Sequence, residues 1–208
     1  MNRLLALALP LLTLTGCAAL TGSREIIARD TSDWRVAATT TDRTRLRDWR
    51  PTFVDALAKA RAAGHGAEID AEGALLVPDA GTMGAPIPNG DYRCRVIKLG
   101  AKRAGLLDYV TYPAFNCRIQ QEKGLQGFAK TGGSQRPMGV IFPDGEMRQV
   151  FLGTLVLGDE KRAMQYGRDP DRDIAAFVEK IGPGRWRMVL PRPAFESMLD
   201  VIELTPAS

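Results

Sequence analysis

From residue 91 onward, short segments that alternate apolar and polar residues follow one another with turn signals between them. Segments of this length, joined by short turns, are typical of an antiparallel meander. We predict strands at residues 91–99, 110–121, 125–131, 137–142, 147–157, 173–181, 185–190 and 199–204. About eight such strands can close into a barrel, which leaves no unpaired edge. The sequence therefore predicts a mainly antiparallel up-and-down β-barrel, or a curled meander sheet.

Two turns and one strand support this prediction. "FPDGE" at 142–146 is a tight hairpin turn, because Pro143 presets φ and Gly145 tolerates a positive φ. "IGPGRW" at 181–186 is a second turn of this kind. "VFLGTLVLG", from residue 150, is apolar on both faces, so we expect one face inside the barrel and the other beneath a helix.

An apolar stripe with a spacing of three or four residues precedes the strands and indicates an amphipathic helix over 42–63. The stripe consists of Leu46, Trp49, Phe53, Leu57 and Ala60. Pro51 removes one backbone hydrogen bond, so we expect it to kink or split this helix. Residues 64–90 are rich in Gly and Pro and are predicted to form a loop, with a short helical turn near 67–72. The chain is thus predicted to be α+β, with a kinked helix packed on the barrel in one globular domain, 41–206.

The N-terminus indicates export. Arg3 precedes an apolar run that ends near Leu14, which is too short to span a bilayer and typical of a signal peptide. "LTGC" at 14–17 resembles the bacterial lipobox, which implies cleavage before Cys17 and attachment of lipid to its sulfur. A plain secretory signal with a chance cysteine, or an uncleaved anchor, is the alternative. We predict a signal peptide at 1–16 and a lipid-anchored tether at 17–40.

The lipobox also bears on location. Position 18 is Ala rather than Asp. By resemblance to known lipoprotein sorting, this points to the periplasmic face of the outer membrane. The membrane, reached through the N-terminal lipid, is therefore the first predicted partner.

Cys94 and Cys117 are the two remaining cysteines, and each lies on the apolar face of a predicted strand. In an exported chain two cysteines most simply form a disulfide, here between neighbouring strands. Free buried thiols or a redox pair are the alternatives, although the spacing is not C-x-x-C.

Charge and motifs exclude several functions. The net charge is +4, with 28 basic and 24 acidic residues well mixed along the chain, which argues against nucleic-acid binding. His65 is the single histidine, so a triad or a zinc site that is built on several histidines cannot form. None of the common hydrolase or nucleotide-binding motifs occurs. We predict no catalytic residue, no metal site and no cofactor.

Two acidic clusters are the remaining candidates for chemistry. They are Glu68, Asp70 and Glu72, and Asp169, Asp171 and Asp173. The second cluster has the first spacings of an EF-hand, but Ile174 stands where Gly is needed and Lys180 where Glu is needed. We interpret both clusters as solvated surface.

Four segments together resemble a domain-of-unknown-function family of small proteobacterial envelope lipoproteins. They are "DRTRLRDWRPTFVDALAKARAAG", "IPNGDYRCRVIKLG", "SQRPMGVIFPDGEMRQVFLG" and "RDIAAFVEKIGPGRWRMVLPRPAFESMLDVIELTP". The resemblance covers residues 33–206 and implies a shared domain without an assigned chemistry. Pro51 is the departure from the continuous helix that we expect in this family.

These features predict a non-catalytic envelope lipoprotein that binds an envelope protein or a small apolar ligand. The alternative is an inhibitor of a periplasmic protease or lysozyme, which would present residues 78–90 or "KTGGSQRP" at 130–137. A carboxylate-dependent cell-wall hydrolase ranks third, because it needs two acids about 5–9.5 Å apart in one cleft.

Overall fold

The computed structural model describes residues 26–27, 30–122, 124–158 and 160–207. The helices are α1 (Trp34–Ala37), α2 (Thr40–Arg47), α3 (Trp49–Ala62), α4 (Gly66–Ala71) and a 3-10 helix (Gly73–Leu76). The strands are β1 (Gly90–Ala101), β2 (Tyr109–Thr111), β3 (Phe115–Glu122), β4 (Leu125–Lys130), β5 (Gln135–Pro143), β6 (Arg148–Leu157), β7 (Asp173–Gly182), β8 (Arg185–Pro191) and β9 (Ser197–Pro206). Within the described part of the chain, no helix has the length and apolar character needed to cross a membrane.

The strands form a closed antiparallel barrel of eight strands, and β2 is an additional strand. Closure is made by β1 and β9, which pair from Tyr92↔Pro206 to Ala101↔Ser197. On its other edge β1 pairs first with β3 and then with β2. The predicted barrel and the α+β class are confirmed.

The predicted strand at 110–121 is in fact two strands. Pro113 lies between β2 and β3 and has no backbone N–H to donate to a ladder. The chain therefore leaves the edge of β1 at this point and starts β3 two residues later. Tyr112 still donates its N–H to the carbonyl of Val96, at 3.0 Å.

The predicted helix at 42–63 is also two helices. Helix α2 ends at Arg47 and α3 begins at Trp49, with Asp48 between them. Pro51 lies in the first turn of α3, where a backbone N–H has no partner within the helix. The proline therefore starts a new helix instead of bending a continuous one.

The barrel has one apolar core inside and two outside. The interior cluster includes Cys94, Phe128, Phe151, Met188 and Leu204. Outside, one cluster joins β5, β6 and β7 to α1 and α2, and the other joins β1, β8 and β9 to α3 and α4. Strand β6 has buried residues on both faces, because its outer face is covered by the N-terminal helices.

Packing begins earlier than the predicted tether allows. Trp34 is buried, and its indole Nε1 donates to Asp144 at 2.9 Å, in the hairpin turn between β5 and β6. Ile26 and Ile27 are buried as well. Residues 34–40 therefore belong to the packed domain instead of the tether at 17–40. The predicted signal peptide, 1–16, and Cys17 lie outside the described residues.

The interior is packed across its middle and plugged at one end. The disulfide Cys94–Cys117 joins β1 to β3 inside the barrel, with the two Cα atoms 6.2 Å apart. At the plugged end, Ile87 is inserted from the loop that precedes β1. Its N–H donates to Gln149 at 2.8 Å and its carbonyl accepts from Gln126 at 2.7 Å. The loop thereby acts as a lid whose backbone groups are satisfied.

A buried ion pair fastens the outer helices to the barrel. Arg187 on β8 is fully buried and donates two hydrogen bonds to Glu179 on β7, at 2.9 and 2.7 Å. Its remaining N–H groups donate to the carbonyls of Ala74, Leu75, Val77 and Pro78. One guanidinium therefore holds the 3-10 helix and the following turn on the sheet.

We expect Arg187→Met to lower the free energy of unfolding by about 3–5 kcal/mol, because it leaves Glu179 buried without its main partner. Urea denaturation of the folded domain measures this loss. Arg185→Met is the matched control on the same strand, since Arg185 pairs with Glu203 in a partly exposed bridge. We expect the control to lose less than about 1 kcal/mol. Equal losses in the two variants would contradict the role given to Arg187.

Candidate functional site: a cavity at the open end of the barrel

A cavity of about 420 Å³ occupies the end of the barrel opposite the Ile87 plug. It exists because β1 and β3 separate: they pair only as far as Cys94↔Phe115, and β1 then pairs with β2. The segment Tyr112–Pro113 crosses this gap and lines the cavity. The interior is thus open where two neighbouring barrel strands part.

The wall is mostly apolar. Its apolar side chains are Val96, Phe115, Pro137, Leu155, Ile174, Leu190, Phe195 and Ile202. The charged ones are Lys98, Lys130, Glu196 and Asp200. An apolar cleft with a few convergent polar groups is the usual form of a small-molecule site.

A buried ion pair lies on one side of the cavity. Lys98 and Asp200 face each other across the β1–β9 pairing, and Nζ lies 3.1 Å from Oδ2. Glu196 is a second partner of Lys98, at 3.2 Å, and the Ser197 hydroxyl donates to Asp200. Burial raises the pKa of Asp200. Burial also opposes the charge of Lys98, but the two carboxylates outweigh it and raise the pKa of that ammonium group.

The turn between β8 and β9 directs Glu196 toward Lys98. Glu196 has a φ of +64°, a left-handed conformation that side chains other than Gly rarely adopt. Lys102 holds the turn in place, because its N–H donates to the Glu196 carbonyl at 2.8 Å and its Nζ to the Pro193 carbonyl. The carboxylate at the mouth is therefore held by backbone conformation as well as by charge.

Lys130 lies on β4, three strands around the barrel from Asp200. Its Nζ is 4.4 Å from the centroid of the Phe115 ring, which is a cation–π contact. In the described part of the chain no carboxylate lies within ion-pair distance of this Nζ. Burial, together with the nearby Arg136 guanidinium, lowers the pKa of Lys130.

The comparison with known proteins adds the family. The family described as "Domain of unknown function (DUF4893)" matches residues 34–204. The chain belongs to the DUF4893 family. No curated protein and no solved structure matches the chain. The match confirms the resemblance to a domain-of-unknown-function family, and it spans the helices, the barrel and the cavity.

The acids predicted as candidates in the DUF4893 domain do not line the cavity. Glu68 contacts His65, Asp70 pairs with Arg61 and Glu72 pairs with Arg95. His65 itself stacks on Tyr109 at 5.5 Å between ring centroids. Over the residues that the structure describes, no three His, Cys, Asp or Glu side chains converge as metal ligands would.

The carboxylates that do share the cavity, Asp200 and Glu196, were not singled out from the sequence. Both contact the same ammonium group of Lys98. In a glycosidase the space between two such acids holds the sugar and a water molecule. Here an ion-paired lysine occupies that space, so the geometry does not favour the carboxylate-dependent hydrolase.

The two loops considered for an inhibitor have other roles in the DUF4893 domain. Residues 78–90 are tied down at several points: Thr82 pairs with Lys180, the N–H groups of Gly84 and Ala85 donate to Glu146, and Ile87 plugs the barrel. A second cavity, of about 370 Å³, borders this plug. Residues 132–135 are exposed and line the mouth of the larger cavity.

The charged groups of the cavity had a detectable signal in the sequence. Tyr92, Cys94 and Val96 alternate inward along β1, and Lys98 is the next inward position. Asp200 holds the corresponding inward position on β9, next to Ile202. In both strands, the charged residue that continues the inward alternation lies where the packed interior ends and the cavity begins.

Asp173, a member of the second acidic cluster, affects how the stability of the domain depends on pH. It is buried beside Asp42, and its Oδ1 accepts the Gly167 N–H at 2.8 Å. Burial raises its pKa to about 6, against about 3.9 in an unfolded chain. The folded state therefore binds more protons between these pH values, and the free energy of unfolding falls as the pH rises through this window.

We expect Asp173→Asn to raise the free energy of unfolding by about 1–2 kcal/mol at pH 7 and to leave it unchanged at pH 4. Asparagine keeps the acceptor for Gly167 but cannot ionise. Urea titrations at a series of pH values measure the difference between the two proteins. Asp171→Asn, at an exposed position, is the control and should show no such trend. A difference that does not change with pH would contradict this assignment.

Proposed function

We propose that this DUF4893 domain is a non-catalytic binding module of the bacterial cell envelope, and that it takes a small apolar ligand into the cavity of the barrel. The observation that carries the proposal is the cavity itself, with mostly apolar walls and a volume of about 420 Å³. This size lies within the usual range of small-molecule sites. Each Å² of apolar ligand surface buried there contributes about 25 cal/mol.

The character of the two ends of the barrel supports the same proposal. The far end is closed by Ile87 and the Gln126–Gln149 amides, which are hydrogen-bonded to one another at 3.0 Å. The near end has no such plug among the described residues, and Tyr112 and Phe195 stand partly exposed at its mouth. The asymmetry gives a ligand one entrance and a closed, apolar floor.

To test the cavity we use Ile174→Trp. Ile174 lies at the start of β7 and lines the cavity, so a larger ring at this position takes up part of the cavity volume. We expect binding of the fluorescent probe N-phenyl-1-naphthylamine to weaken by at least tenfold, because the indole fills the volume that the probe needs. Fluorescence titration measures the affinity.

The control for this experiment is Val54→Trp, which adds the same ring to an exposed position on α3. It should bind the probe as the unaltered domain does. If the unaltered domain binds no apolar probe, the ligand-binding proposal is wrong, and binding of a protein partner is the remaining hypothesis.

The proposal includes a place. We infer that Cys17 carries lipid after cleavage of residues 1–16, and that the domain is held at the periplasmic face of the outer membrane. The support is the "LTGC" sequence after a short apolar run, with Ala18 following the cysteine. A small apolar ligand would be available there, because the lipid anchor keeps the domain at a bilayer surface.

Intact mass of the full chain, purified from the membranes of a Gram-negative host, tests this location. We expect the mass of a chain that starts at Cys17 plus two or three acyl chains, with no free thiol after labelling. Cys17→Ser is the control and should lack the acyl mass. An unmodified chain of full length would contradict the anchor.

A further inference from the structure

We propose that the ligand of this cavity is an amphiphile with one anionic head group, of the carboxylate class, on a single apolar chain, and that Lys130 pairs with the head group. This inference rests on the proposed ligand-binding function and goes further by naming the chemistry of the ligand. It is carried by the contrast between the two lysines of the cavity.

Lys98 already has two carboxylate partners within the protein. Its ammonium group lies between Asp200 and Glu196, at 3.1 and 3.2 Å, and its side chain is 12% exposed. A second anion at this lysine would have to displace one of these carboxylates and would be repelled by the other. The ion pair closes this side of the cavity to anions.

Lys130 differs from Lys98, because its contacts within the described residues include no carboxylate. It is half-buried, its Nζ contacts the Phe115 ring, and its side chain lies beside Gly133. Within the described residues it has no carboxylate partner, and burial already disfavours its charge. A half-buried cation without an anion is costly, and an incoming carboxylate relieves that cost.

The surroundings of Lys130 add donors and positive potential. Gly132 and Gly133 line the cavity beside it, and their N–H groups donate to no backbone carbonyl in the described part of the chain. Arg136 holds this loop by donating to the carbonyls of Gly133, Gly158 and Glu160. The Lys130 ammonium group therefore lies beside a glycine loop whose N–H groups are available to an anion, a combination that anion sites in proteins use.

The position of Lys130 sets the orientation of the ligand. Lys130 is the last residue of β4, at the rim, whereas Val96, Ile174 and Ile202 lie deeper against the interior core. A head group at Lys130 thus places an attached chain against apolar walls. One available cation matches one negative charge, which favours a monoanionic head group.

The test compares dodecanoic acid with 1-dodecanol, which have the same chain and differ in the head group. Both are used to displace N-phenyl-1-naphthylamine from the domain at pH 7.5, below their aggregation limits. A hydrogen bond between two charged groups is stronger than one to a neutral hydroxyl, so we expect the acid to bind at least tenfold more tightly. Lys130→Gln should bind both compounds equally, with the affinity for the alcohol unchanged.

Lys161→Gln is the matched control, because Lys161 is exposed and does not line the cavity. It should keep the preference for the acid. Lys130→Arg keeps the charge and should keep it too. If Lys130→Gln also weakens binding of the alcohol, Lys130→Arg decides: a retained preference supports the inference, and a lost preference overturns it.

The outcomes separate this inference from the proposed function. Equal binding of acid and alcohol by the unaltered domain would overturn the role of Lys130 and leave the ligand-binding function intact. Displacement by neither compound, with no binding of the probe, would remove the proposed function itself. A preference for the acid that survives Lys130→Gln would place the anion elsewhere.

Discussion

The pairing of β1 with β9 is the contact on which the rest of this domain depends. It joins the first and last strands of the barrel over most of their length and removes the two edges that an open sheet would expose. Because the barrel is closed, its side chains point either into the interior or outward. The apolar side chains of each set must be shielded from water separately. The interior packs on itself around Phe128 and Phe151, and the exterior is covered by the N-terminal helices.

Closure also explains the cavity. Strand β1 is held along one edge by β9, so its other edge can change partner without loss of the barrel. Where β1 exchanges β3 for β2, the interior widens and the inward positions become accessible. The ion pair of Lys98 and Asp200 then closes one side of the mouth by charge. The domain thus keeps a packed core and an apolar site in the same barrel, at opposite ends.

Much of the architecture could be predicted from the sequence, because alternation and turn residues act locally. The strands, the hairpin at Pro143 and Gly145, and the stripe of α2 and α3 followed from such local signals. Pro113 and Pro51 were visible as well, but their effects depended on which neighbouring strand or helix was available. The cavity could not be predicted, because it arises where β1 and β3 part, and that is decided by pairings distant in sequence. Lys130 likewise acquires meaning only because, among the described residues, no carboxylate lies within ion-pair distance of its Nζ.

The disulfide has a consequence for the shape of this domain. Cys94 and Cys117 join β1 and β3 at the last stretch where these strands still pair, directly beneath the point where they part. The bond holds the two strands together at this level, so the gap between them cannot extend further toward the plugged end. The extent of the gap between β1 and β3 is therefore limited by a covalent bond. In a compartment that keeps thiols oxidised, this limit is fixed once, when the protein folds.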